Sequence, residues 1–68
     1  MKIKEQDRIA ELLHGFKRIN PSAQVIGYEI GDKDEPTPSP DGFWLKVITT
    51  NFGWLHVYQL ENGIIEWF

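Results

Sequence analysis

At 68 residues, with a net charge of −3 and no cysteine, the chain is long enough for one small domain and excludes a disulfide scaffold. Domains below about 70–80 residues usually need a staple, and two histidines without a thiolate make a structural zinc site a poor candidate. A tight aromatic core or self-association is left.

No run of the sequence approaches the roughly 20 apolar residues of a membrane span. Met1–Ala10 is charged and lacks the apolar run of a signal peptide. The expectation is a soluble, cytoplasmic protein that does not engage a membrane. Charge is uneven, +2 over residues 1–18 and −5 over 19–68.

The first element is a helix over about 4–19. Ile9, Leu12, Leu13 and Phe16 fall on one stripe. Glu5 and Asp7 sit at its start and Lys17 and Arg18 at its end, as the helix dipole favours. Asn20-Pro21 supplies the stop, with Asn suited to a left-handed cap. Gly15 either lets the helix approach a sheet closely or ends it a turn early.

Strands follow over about 23–30, 43–50, 54–60 and 64–68. Gly27 marks a bulge or a close backbone approach in the first. Residues 31–42, with prolines at 36, 38 and 40, read as a solvated and mobile loop. Asn62-Gly63 reads as a two-residue type I′ hairpin. The fold class is therefore α+β, a single domain 1–68 in which one amphipathic helix covers a four-stranded, mainly antiparallel sheet in the order α-β-β-β-β.

A two-residue turn at Asn62-Gly63 places Gln59 opposite Glu66. A turn at Phe52-Gly53, or a loop over Asn51–Trp54, places Lys46 opposite Gln59. The face with the row Lys46, Gln59 and Glu66 is then polar. The other face carries Leu45, Val47, His56, Tyr58, Leu60, Ile65 and Trp67, and the helix stripe is placed there; a helix on the opposite face would instead leave a patch involving Tyr58, Leu60 and Trp67. The polar face also holds Trp44, Ile48, Leu55, Val57 and Phe68. Uncovered, these form an apolar patch of the kind that marks an interaction site.

The chemistry-bearing residues point elsewhere than catalysis. His14 and His56 have no cysteine or serine nucleophile in a suitable context. Asp32-Lys33-Asp34 begins like a calcium loop, but Pro36, Thr37 and Phe43 break the pattern. Asp32, Asp34, Glu35 and Asp41 lie in a proline-rich loop, unlike the dry, rigid pair that acid–base catalysis needs. Thr37-Pro38 and Ser39-Pro40 have the form of proline-directed phosphorylation sites. Trp44, Trp54, Tyr58 and Trp67 could stack bases, but their half of the chain is acidic.

The resulting expectation is a non-catalytic protein-binding or homodimerising module acting through Trp44, Ile48, Leu55, Val57 and Phe68. It has no enzymatic site of its own, no cofactor, no metal and no small-molecule substrate. The alternative is a nucleic-acid-binding or regulatory protein using Lys4, Arg8, Lys17 and Arg18, with salt-sensitive affinity.

Overall fold

The computed structural model describes residues 5–68. Lys4, a basic candidate and the expected first residue of the helix, lies outside the described residues, as does Lys2. Helix α1 spans Glu5–Ile19, followed by β1 (Val25–Ile30), β2 (Leu45–Thr49), β3 (Trp54–Gln59) and β4 (Ile65–Trp67). The strands form one antiparallel sheet in the order β1-β2-β3-β4, with the helix packed on one face. This is the α+β arrangement that the periodicities predict.

The helix stripe forms the core as its spacing requires. Leu12 and Phe16 are buried, and Ile9 and Leu13 pack at their flanks. They meet Leu45 and Val47 of β2 and Val57 of β3, with Leu55, Ile65 and Trp67 packed around them. Phe16 stands edge-on to Trp67, ring centroids 5.6 Å apart. Such a contact adds about 0.5–1.5 kcal/mol beyond area burial. Gly15 serves close approach, because a Cβ there would overlap the Ile65 side chain. The helix runs through it to Ile19 and ends at Asn20, whose N–H donates to the Phe16 carbonyl at 2.9 Å. No described non-glycine residue has positive φ, so Asn20 stops the helix without a left-handed cap.

Two registers differ from the sequence reading. Across β2 and β3, Lys46 pairs with His56 and Ile48 with Trp54, in place of Lys46 with Gln59. The connection closes earlier than either expected turn. Thr49 N–H and its hydroxyl both donate to the Gly53 carbonyl, at 2.9 and 2.7 Å, and Gly53 has φ +72°. Across β3 and β4, Gln59 pairs with Ile65 and Tyr58 with Glu66. Here Leu60 N–H donates to the Ile64 carbonyl, and Gly63 N–H to the Leu60 carbonyl. The loop is therefore three residues long, and the glycine takes the left-handed position, φ +89°. That is the type I turn plus bulge rather than the two-residue type I′ form.

Each difference is an odd number of residues, so each turns a strand over. The first moves Leu55 and Val57 to the helix side and His56 and Tyr58 to the far side. The second restores β4, so Ile65 and Trp67 face the helix as expected. The far side then carries Trp44, Lys46, Ile48, Trp54, His56, Tyr58, Glu66 and Phe68.

Candidate protein-binding surface

The five residues expected to form an apolar patch do not share one surface. Val57 is wholly buried beneath the helix, and Leu55 packs beside it. This corrects their placement on the polar face; the shifted β2–β3 register is the cause. Trp44 does lie on the far face but is only 3% exposed. Its Nε1 donates to the Asp32 carbonyl at 2.8 Å, and Gly31 lies so close to the indole that a Cβ would overlap it. Ile48 is half-buried, and Phe68 alone of the five is exposed.

The cover over Trp44 is the proline-rich segment, expected to be free. It is tied down at several points. Glu35 Oε2 lies 2.5 Å from His56 Nε2, while His56 Nδ1 faces the Phe68 carbonyl at 3.2 Å. His56 stacks against both Trp44 and Phe68, centroids 4.6 and 4.1 Å apart. Ser39 is buried and donates to Asp41, and Asp41 pairs with Arg8 of the helix at 2.7 Å. His56 thus holds loop to sheet, a structural task.

The remaining candidates separate in space. Asp32 accepts the Asp34 N–H in a local turn. Among the described residues, no three His, Asp or Glu side chains gather as a metal site. Tyr58 is buried and its hydroxyl reaches Glu66 at 3.4 Å; burial, then the Glu66 charge, push the phenol upward. Arg8 lies over the Phe43 ring at 4.3 Å as well as pairing with Asp41. That basic residue is engaged within the fold, and the far-face aromatics stand beside Glu35 and Glu66 with Lys46 as the cation over Trp54. Among the described residues no basic groove runs along those rings, so the nucleic-acid alternative gains no support from their placement.

The open apolar surface lies at β1, which sequence reasoning passed over. The helix packs chiefly on β3 and β4. A helix is about 10–12 Å across and strands are about 4.8 Å apart, so one helix covers roughly two strands. Val25 at the start of β1 still packs against the core, but the rest of the strand is left largely uncovered. Ile26, Tyr28 and Ile30 are 66, 45 and 48% exposed. A shallow groove of about 260 Å³ runs between Ile9 and Leu13 of the helix and Tyr28 of β1, with Lys17 at its wall.

β1 is also a sheet edge. Gly31 N–H donates to the Trp44 carbonyl at 2.9 Å. By antiparallel alternation, Gly27 and Glu29 also turn their backbone groups toward β2, and Tyr28 and Ile30 turn theirs off the open edge. The strand has no lysine and no proline to blunt that edge; its protections are Glu29 and the bulge between Val25 and Gly27. A signal was present in the alternation Ile26, Tyr28, Ile30.

Set against known proteins, the chain matches no family model, no curated protein and no solved structure. Its surfaces must therefore be read from its own residues. Among the described residues, no helix is long and apolar enough to cross a membrane.

Proposed function

We propose that this chain is a non-catalytic protein-binding module of the cytoplasm that self-associates by accepting a β-strand along the open edge of β1. The observation that carries the reading is the half-exposed apolar run Ile26, Tyr28 and Ile30 on an edge with free backbone groups. Strand addition draws affinity from main-chain hydrogen bonds and specificity from alternate side chains. The groove beside Tyr28 offers a place for such side chains. The size of the chain adds weight, since a cysteine-free domain of 68 residues gains from an oligomeric staple.

The surface differs from the patch read from sequence. Trp44 and Val57 serve the interior, so replacing them reports on folding instead of association. The test is light scattering after size exclusion over a wide concentration range. The wild-type mass should rise from 7.9 kDa toward twice that value. Ile30→Lys should keep the wild-type circular dichroism and remain monomeric, because a lysine on an edge strand opposes pairing. A wild-type protein that stays monomeric throughout would overturn the proposal.

A further inference from the structure

We propose that Asn62-Gly63 is a site of spontaneous covalent modification, at which the Asn62 side-chain amide is lost as ammonia through a cyclic imide, and that opening of the β3–β4 loop sets the rate. The reaction needs no enzyme and no cofactor; its one co-reactant is water. The Gly63 nitrogen, its proton given up to solvent, bonds to the side-chain carbonyl carbon of Asn62. The bond from that carbon to Nδ2 breaks, and the departing nitrogen takes up a proton and leaves as ammonia. Water then opens the imide ring at one of its carbonyls. Opening at the side-chain carbonyl leaves aspartate. Opening at the main-chain carbonyl leaves isoaspartate, in which the chain runs through the former side chain.

The three asparagines of the chain are not equivalent. Asn20 precedes Pro21, whose nitrogen carries no hydrogen and cannot close the ring. Asn51 is fixed at both ends of its amide: Nδ2 donates to the Ser22 carbonyl at 2.7 Å, and Oδ1 accepts from the Gln24 N–H at 3.0 Å. The nitrogen that would attack it belongs to Phe52, which is bulky and donates to the Thr49 hydroxyl at 2.8 Å. Asn62 is exposed and, among the described residues, is held only through Oδ1, by the Ile64 N–H at 3.1 Å. Its leaving nitrogen is free, and the residue that follows has no side chain to obstruct ring closure. What restrains the reaction is the turn. The Gly63 N–H donates to the Leu60 carbonyl at 2.9 Å. The nitrogen must leave that bond before it attacks, so the reaction proceeds from molecules whose loop has opened. The two products differ in what they allow. An aspartate carboxylate still accepts the Ile64 N–H. Isoaspartate adds a backbone atom to a loop closed by the Leu60 N–H on the Ile64 carbonyl at 2.8 Å. β4 then loses its register, and with it the seating of Ile65 at Gly15 and of Trp67 on Phe16.

The test stores the wild-type protein in buffer and in urea and follows it by intact mass and peptide fragmentation. A gain of about 1 Da should appear at Asn62 before Asn51, and at least about tenfold faster in urea than in buffer. The isoaspartyl fraction, separated by chromatography and returned to buffer, should unfold at a lower urea concentration than the wild type. Asn62→Asp should keep the wild-type midpoint, which separates the extra backbone atom from the extra charge. A first gain at Asn51, or none at Asn62 in urea, would overturn the site. Equal rates in buffer and urea would overturn control by the loop. An isoaspartyl form as stable as the wild type would overturn the effect on β4.

Discussion

Asp41 shows what one side chain contributes to this fold. Its carboxylate accepts from Arg8 of the helix at 2.7 Å, and from the Phe43 N–H and the Ser39 hydroxyl at 3.1 Å each. The Arg8 hydrogen bond is the main reason its pKa falls from 3.8 to about 2; the Phe43 and Ser39 bonds add to it, and partial burial opposes it. A carboxyl depressed on folding stabilises the native state above its unfolded value. That stability is lost as pH falls from about 4 to about 2. Asp41→Asn should cost about 0.5–1 kcal/mol at neutral pH, a small figure because the pair is partly exposed and screened by solvent. Urea midpoints for the two proteins should converge across that acid window. A gap that stays constant down to pH 2 would show that the ion pair is not its source.

At the scale of the element, the hairpins decide which residues are core. Gly63 at φ +89° is what makes the β3–β4 loop three residues long. Gly63→Ala should lose about 1–2 kcal/mol in chemical denaturation, the penalty of a Cβ in the left-handed region. No loss would mean the loop relaxes to another turn and the register with it. The helix, the four strands and their order follow from periodicity and turn residues, because those signals are local. The faces of β3 were not legible in the same way. Asn62-Gly63 marked the right place but serves two turn types one residue apart, and Thr49 closes the β2–β3 connection through its own hydroxyl. Apolar residues at both parities, Leu55 and Val57 against His56 and Tyr58, gave the pattern no power to choose. The covering of Trp44 was hidden for another reason. Asp32, Glu35 and Asp41 look like a solvated acidic run until their partners Trp44, His56 and Arg8 are placed beside them in space.

For the molecule as a whole, the meander makes every strand pair with its neighbour in sequence. The connections are unequal. β3 and β4 are joined through residues 60–64 and β2 and β3 through 50–53, whereas β1 and β2 are separated by 31–44. Closing a longer loop costs more chain entropy before any contact rewards it. The β2–β3–β4 unit should therefore be formed in the folding transition state with β1 still loose. Val25→Ala should leave the refolding rate nearly unchanged and speed unfolding, while Val57→Ala should slow refolding. Equal effects on both limbs of the chevron would contradict this order. If β1 is laid down last, the edge proposed to join two copies does not exist on a half-folded chain. Until then β2 is the open edge of the sheet, so closing the proline-rich loop exchanges one edge for another: it covers β2 and brings the proposed contact strand into being in the same step.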